Sequence, residues 1–152
     1  MDNTMSNNQG FTLIELMAAV SIVSILAVVS MTTYSDYLVR SKVSEGIVFA
    51  SEAKTAVTDY FYNMQKLPTS NYQAGLPDAE AYNKYDFIRR LDVSSTEPYG
   101  IITITFKIPG STADNKELQL IPSTRDGLVT WTCMPPKDNG IEVNQVPPNC
   151  RG

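Results

Sequence analysis

GFTLIELMAAVSIVSILAVVSM, residues 10–31, is an apolar run that contains a single acidic residue, Glu15, close to its start. A helix of about 20 apolar residues is long enough to span a lipid bilayer. A carboxylate within such a helix costs roughly 2.5–3.5 kcal/mol on insertion scales, so it needs a partner or a function. The run therefore predicts a membrane helix whose one charge serves a purpose.

The composition limits what the rest of the chain can do. Its 152 residues leave room for one membrane segment and one small folded domain. The 12 basic and 16 acidic residues give a net charge of −4, which argues against nucleic acid as a default partner. There is no histidine, and no nucleophile–base pair, phosphate loop or metal-ligand cluster is recognisable. We therefore expect no enzymatic activity, no catalytic residues, no metal and no cofactor.

Two cysteines, Cys133 and Cys150, lie close to the C-terminus. They indicate either a disulfide in an oxidising compartment or two unpaired buried thiols in a cytosolic domain. The membrane segment ahead of them favours the disulfide, which would stabilise the fold by about 3 kcal/mol in the chain-entropy model. Without histidine, two cysteines provide too few ligands for a zinc site.

The helical pattern continues beyond the apolar run. Apolar residues recur at helical spacing and predict one buried stripe: Val39, Val43, Ile47, Ala50, Val57, Phe61 and Met64. Asp36 and Arg40 have the four-residue spacing of an ion pair on a helix surface. Pro68 predicts the end of the helix shortly after Lys66. The result is one helix of roughly 50 residues, apolar all round in its first half and amphipathic in its second.

The remaining residues predict a small antiparallel sheet packed on that stripe. Residues 65–99 have the composition of an irregular connection. Strands are expected at Ile102–Ile108, Lys116–Ile121 and Leu128–Cys133, with a turn at Asp126–Gly127 and a possible short final strand at Ile141–Val146. In the third of these, Val129, Trp131 and Cys133 share one face, which places Trp131 in the core rather than on a ligand platform.

A small basic cluster lies within the expected connection, formed by Lys84, Arg89 and Arg90. Basic residues beside aromatic ones are typical of nucleic-acid-binding strips, but neighbouring acidic residues dilute this cluster. We interpret it as a solvated face that makes subunit contacts.

Gly10–Met17 resembles the processing and assembly motif of type IV pilins. The similarity continues through Tyr34–Tyr37 and Arg40–Glu45 and ends with the C-terminal cysteine pair. It implies an α+β pilin fold: one long N-terminal helix on a small antiparallel sheet, with a C-terminal disulfide-bounded loop. The domains implied are a leader (1–10), a transmembrane and assembly half-helix (11–31), an amphipathic half-helix (32–65) and a globular head (66–152).

The resemblance also implies roles for residues at the start of the chain. A prepilin peptidase would cut between Gly10 and Phe11 and methylate the new N-terminus at Phe11. Glu15 would pair with the N-terminal amine of a neighbouring subunit and set the register between apolar helices, a role that suits a buried ion pair. Alternatively, Glu15 lies at the membrane edge and reaches polar headgroups.

The implied function is that of a structural subunit of a type IV pilus, which supports adhesion, twitching motility or DNA uptake. The expected partners are other copies of the chain, the prepilin peptidase, the pilus assembly machinery and, before assembly, membrane lipid. The precursor would lie in the bacterial inner membrane and the filament on the cell surface. The alternatives are a type II secretion pseudopilin, or a minor pilin acting as a DNA or surface receptor, where the net charge disfavours DNA.

Two positions depart from the family pattern. Ser24 stands where a glycine is common, and Thr32 where a proline is common. Glycine and proline weaken helices, and in related filaments this stretch can lose its helical structure on assembly. We therefore predict a straighter helix that melts less.

Overall fold

The computed structural model describes residues 10–152, without the side chains of residues 31–33. Apart from Gly10, the predicted leader lies outside the described residues. The chain divides into two compact units between Ser35 and Asp36. One helix, α1, runs from Leu13 to Met64.

Helix α1 ends at Met64, slightly before the predicted end after Lys66. Gln65 follows the last helical residue and adopts the left-handed conformation, with φ of 55°. Its backbone N–H donates to the carbonyl oxygen of Phe61 at 2.7 Å, which satisfies a carbonyl at the helix end. Pro68, three residues on, could not continue a helix because it has no backbone N–H.

The second half of α1 buries one stripe of side chains, as predicted. Small and branched apolar residues dominate this buried stripe: Val39, Val43, Ala50, Ala53, Val57 and Phe61. Ile47 is half-buried. The prediction is wrong for Met64, which is 57% exposed because it is the last residue of the helix.

Four strands form one antiparallel meander in the order β1-β2-β3-β4. Their bounds are Ile88–Val93, Ile102–Phe106, Glu117–Arg125 and Leu128–Met134. The turn between β3 and β4 uses Asp126 and Gly127 with φ of 53° and 76°, which is the conformation that two-residue hairpin turns favour. The α+β prediction of one long helix with an antiparallel sheet is therefore confirmed.

The core lies between the buried stripe of α1 and the sheet. Strands β1 to β3 contribute most of its side chains: Ile88, Leu91, Val93, Ile102, Ile104, Phe106, Leu118 and Leu120. Gly46 on α1 lies directly over Phe106, so closely that a Cβ at Gly46 would be 2.5 Å from the ring. The helix can approach the sheet to this distance because position 46 has no side chain.

The prediction of an irregular connection over residues 65–99 is wrong in its second part. That part contains a 3-10 helix at Ala79–Lys84, followed by β1. A β-bulge between Ile88 and Arg90 shifts the register of β1 against β2. The buried residues are therefore Ile88, Leu91 and Val93, a spacing that lacks the alternation by which strands are recognised in a sequence.

Two other strand predictions need correction. The strand predicted at Lys116–Ile121 continues to Arg125, because residues beyond Ile121 still pair with β4. The predicted final strand at Ile141–Val146 is wrong: an isolated bridge joins Gly140 to Glu117, and a 3-10 helix follows at Val143–Gln145. Ile141 and Val146 are both buried, but five residues apart, so they cannot share one face of a strand.

Asn71 ties the connecting segment to the outer edge of β1. Its side chain is 7% exposed, and its Nδ2 donates to the carbonyl oxygens of Pro77 at 2.8 Å and Leu91 at 2.9 Å. Its Oδ1 accepts the backbone N–H of Val93 at 2.7 Å. One amide thus satisfies two polar groups of an edge strand that would otherwise lack partners.

Replacing Gly46 tests the close approach of α1 to the sheet. Gly46→Ala gains up to about 1 kcal/mol of helix propensity. The overlap with Phe106 costs about 1–3 kcal/mol, so we expect net destabilisation. Val48→Ala, at a position that is 70% exposed, is the control and should change the free energy of unfolding by less than about 0.5 kcal/mol. Thermal unfolding of the detergent-solubilised chain measures both, and a stabilised Gly46→Ala variant would contradict the packing described.

Asn71→Leu should lower the free energy of unfolding by about 2–5 kcal/mol, because it leaves two backbone groups of β1 without partners. Hydrogen exchange should accelerate most at the amide of Val93. The matched control is Asn63→Leu, since Asn63 is exposed and bonds only to its own helix. Equal effects of the two substitutions would show that Asn71 does not hold the edge strand.

Candidate assembly site

The first half of α1 presents its apolar side chains to the surroundings on every side. Each residue from 10 to 30 is exposed, including large side chains such as Phe11 (88%), Leu13 (77%) and Val28 (68%). The helix contains a window with a mean hydropathy of 2.4, none of it buried, and within the described residues it is the one helix able to cross a membrane by length and composition. A continuous apolar surface of this kind requires either lipid or protein around it.

Glu15 has a local role that the sequence analysis did not identify. Its Oε2 accepts hydrogen bonds from the backbone N–H and the hydroxyl of Thr12, at 2.9 and 2.8 Å. In return, the backbone N–H of Glu15 donates to Oγ1 of Thr12 at 3.4 Å. This reciprocal arrangement is a capping box at the start of α1. The signal was present in the sequence as Thr12-Leu13-Ile14-Glu15, a threonine followed three residues later by glutamate.

The capping box leaves part of the carboxylate of Glu15 available. Within the described residues, Oε1 of Glu15 has no hydrogen-bond partner. Phe11 lies just ahead of the box, and Gly10 and Phe11 are both exposed. A carboxylate at a helix N-terminus can accept further hydrogen bonds or pair with a cation. The predicted role of Glu15 in assembly is therefore chemically possible beside its capping role.

Three serines within the apolar half-helix are satisfied by the helix itself. Ser21, Ser24 and Ser30 each donate to the carbonyl oxygen four residues earlier, at 2.7–2.8 Å. A hydroxyl bonded in this way needs no partner in lipid. Ser24, which stands where the family often has glycine, lies within continuous α-helix in the structure, and its behaviour on assembly remains a prediction.

A disulfide joins Cys133 on β4 to Cys150, with their Cα atoms 4.4 Å apart. Cys150 is 1% exposed and belongs to the hydrophobic core. The predicted disulfide-bounded loop is thus confirmed, and the alternative of two unpaired thiols is wrong.

The disulfide loop is also held against α1 by polar contacts. Asp36 accepts from the side-chain amides of Asn144 at 2.9 Å and Gln145 at 3.1 Å, and Arg40 donates to the carbonyl oxygen of Asn144. Gln145 donates in addition to Thr112 at 2.8 Å. The predicted ion pair between Asp36 and Arg40 is wrong, because both side chains bind the loop. The sequence could not show this, since the contacts join residues more than 100 positions apart.

The basic cluster is partly neutralised. Lys84 lies 5.1 Å from the ring centre of Tyr85, and the two arginines have acidic neighbours: Arg89 is 3.8 Å from Asp114, and Arg90 is 3.3 Å from Asp92. These contacts reduce the positive charge that the cluster could present to DNA. In the part of the chain that the structure describes, no group of three or more histidine, cysteine, aspartate or glutamate residues could hold a metal ion.

Trp131 packs against the core from β4. It is half-buried, its Nε1 donates to the hydroxyl of Thr58 at 3.3 Å, and the ammonium of Lys54 lies 5.8 Å from its ring centre. Val129 and Cys133 share its half-buried face, as predicted.

The sequence matches two known families, and both matches agree with the fold and the N-terminal helix described above. Residues 39–151 match the family described as Pilin (bacterial filament). Residues 5–31 match the prokaryotic N-terminal methylation motif. The two matches together cover the capping box, the apolar half-helix and nearly the whole head.

Curated relatives match almost the full length of the chain. A type IV major pilin protein, PilE1 of Neisseria gonorrhoeae, is 34% identical over 94% of this chain and 93% of its own. The fimbrial protein EcpC of Eikenella corrodens is 34% identical over 94% of this chain and 90% of its own. A fimbrial protein of Neisseria meningitidis is 37% identical over 84% and 74%. This chain belongs to the type IV pilin family.

Proposed function

We propose that this structural, non-enzymatic subunit of a type IV pilus uses one apolar surface twice: residues 11–31 lie in the bacterial inner membrane before assembly and among copies of the same helix in the filament. The observation that carries the proposal is the complete exposure of the apolar half of α1. Lipid and a bundle of identical helices are two environments that can cover such a surface.

Transfer between these environments exchanges one apolar neighbour for another. The hydrophobic effect therefore contributes little to the choice, and packing and polar contacts decide it. Within the described half-helix the serine hydroxyls are already bonded to their own backbone. The carboxylate of Glu15 is the polar group that remains available to direct assembly.

We propose that Glu15 pairs with the N-terminal amine of Phe11 on a neighbouring subunit after cleavage at the Gly10–Phe11 bond and methylation. At 4 Å and an effective dielectric constant near 20, two opposite unit charges attract by about 4 kcal/mol. Desolvation offsets much of that energy, so the pair specifies register more than it adds stability. The free Oε1 supports this role, because the capping box uses Oε2.

Two substitutions, one at Glu15 and one at Thr12, separate the capping role from the pairing role. Glu15→Gln keeps a capping box, which glutamine also forms, but removes the charge. We expect this variant to be cleaved normally yet to yield at least about tenfold fewer filaments, because the uncompensated amine would be buried. Electron microscopy and immunoblotting of sheared surface material measure the yield.

The control is Thr12→Ala, which removes the cap and leaves the charge of Glu15 intact. Loss of an N-cap costs about 1 kcal/mol of helix stability, so filaments should still form. Normal assembly of Glu15→Gln together with failure of Thr12→Ala would show that capping, and not charge pairing, is what assembly requires.

Mass spectrometry of sheared surface filaments tests processing directly. The mature chain should begin at Phe11, carry one added methyl group at its N-terminus and retain the Cys133–Cys150 disulfide. An N-terminus at another residue would overturn the proposed cleavage site.

The same material tests the alternatives. The relatives are major pilins and fimbrial proteins, so a secretion pseudopilin or a minor receptor pilin is not favoured. Long surface filaments composed mainly of this chain are expected. Detection only within the cell envelope would point instead to the pseudopilin. We propose adhesion, twitching motility or DNA uptake as the activity of such a filament, with DNA disfavoured by the net charge of −4.

A further inference from the structure

A two-lobed groove, which we call the αη groove, lies between α1 and the segment around the 3-10 helix Ala79–Lys84. The first lobe, of about 170 Å³, is lined by Phe49, Tyr85 and Phe87, with Glu45 and Asp86 beside them. The second lobe, of about 160 Å³, is lined by Pro77, Ala81, Tyr82 and Glu52. Lys84 and Tyr85 line both lobes. The groove therefore combines aromatic walls with three carboxylates and the ammonium of Lys84, and the ammonium of Lys42 lies 5.4 Å from the ring centre of Phe87.

The carboxylates of the αη groove are not used within the subunit. Within the described residues, Glu45, Glu52 and Asp86 form neither a hydrogen bond nor an ion pair through their side chains. A negative surface beside aromatic walls is suited to a cationic side chain, whose stem can lie on the rings while its charged end meets the acids.

Tyr82 contributes a polar group to the second lobe. It is 5% exposed, lines the second lobe, and its hydroxyl has no hydrogen-bond partner among the described residues. Among the described residues, the buried side-chain atoms without a hydrogen-bond partner are Nε of Arg40 and Oε1 of Gln145, so the hydroxyl of Tyr82 is accessible within the groove. Burial, together with the nearby charge of Glu52, raises the pKa of Tyr82 above its usual range. The hydroxyl therefore stays protonated and can both donate and accept a hydrogen bond in the groove.

The chain itself carries a cation that lacks a partner. All 12 basic residues lie in the described part of the chain, and nine of them contact an acid, a polar oxygen or an aromatic ring. The three without such a contact are Lys66, Arg125 and Lys137. Of these, only Arg125 has the planar guanidinium that can bind carboxylates in a bidentate manner.

Arg125 is also placed to reach another molecule. It precedes the two-residue turn Asp126–Gly127, at the tip of the β3–β4 hairpin. The pairing of β2 with β3 ends at Leu120, whereas β3 and β4 stay paired as far as Arg125 and Leu128. The hairpin therefore continues beyond β2 as a two-stranded ribbon, and its tip residues are exposed.

We propose that the αη groove of one subunit binds Arg125 at the hairpin tip of another copy of this chain. This inference rests on the proposed function, since a filament provides the second copy. The contact joins two different surfaces, which is the heterologous arrangement that an open helical polymer requires. Charge complementarity supports this occupant: three carboxylates outnumber the ammonium groups of Lys84 and Lys42 beside them, and they would meet a cation that is unpaired among the described residues of its own subunit.

Cross-linking of assembled filaments tests the contact directly. Arg125→Lys places a primary amine at the hairpin tip, and a zero-length carbodiimide joins amines to carboxylates in direct contact. We expect covalent subunit dimers and longer ladders on a denaturing gel. Peptide mass spectrometry should link position 125 to Glu45, Glu52 or Asp86. Unchanged filaments provide the background from the seven native lysines, because the guanidinium of Arg125 does not react.

A charge-reversal series supplies the functional test. Arg125→Glu should make filaments dissociate roughly tenfold faster in denaturant, since loss of one partner of a desolvated charge pair is costly. Combining it with Glu52→Arg should restore at least part of that loss. The matched control is Lys137→Glu, which makes the same charge change at another exposed, unpaired cation and should have a smaller effect than Arg125→Glu.

The possible outcomes separate this inference from the proposed function. Intact filaments whose position-125 amine links to none of the three acids would overturn the contact and leave the pilus subunit role standing. An effect of Lys137→Glu equal to that of Arg125→Glu would also overturn it. If the unchanged chain forms no surface filaments, both proposals fail together.

Discussion

The apolar surface of the first half of α1 is the constraint on which the rest of the molecule depends. Every described residue from 10 to 30 is exposed. A protein with such a surface must remain in lipid or associate with copies of itself or another protein. In the proposed function the two environments follow one another, so the surface has to suit both. A helix that is apolar on all sides meets this requirement because it has no preferred face.

The polar groups of that helix are arranged to cost little in either environment. Serine hydroxyls bond to carbonyl oxygens of the preceding turn, and Thr12 and Glu15 satisfy each other's polar groups at the N-terminus. The capping box changes how the acid at position 15 is understood. It is first a helix cap, which explains how a carboxylate is tolerated next to an apolar run. A role of Glu15 in assembly comes in addition to this capping role and must use Oε1, the oxygen that the cap does not use.

Residues outside the sheet contact both of its edge strands, β1 and β4. Asn71 satisfies the outer edge of β1 in place of a neighbouring strand. At the other end, the disulfide fixes Cys150 beside β4, and Asn144 and Gln145 fasten the loop to Asp36 and Arg40 on α1. Edge strands are potential sites of unwanted pairing, and these contacts restrict it. The free tip of the β3–β4 hairpin is left as a projecting element.

The sequence by itself determined the apolar half-helix, the buried stripe of its continuation and the strands whose residues alternate, because helical and strand periods appear directly in the order of residues. It also indicated the cysteine pair and Glu15, since their residue types are unusual in that setting. The bulged strand β1 was missed because the bulge removes the alternation. The bonds of Asn71, Asp36 and Arg40 and the approach of Gly46 to Phe106 were decided only by the tertiary structure. They join residues far apart in the chain, and no local pattern records which distant groups the fold brings into contact.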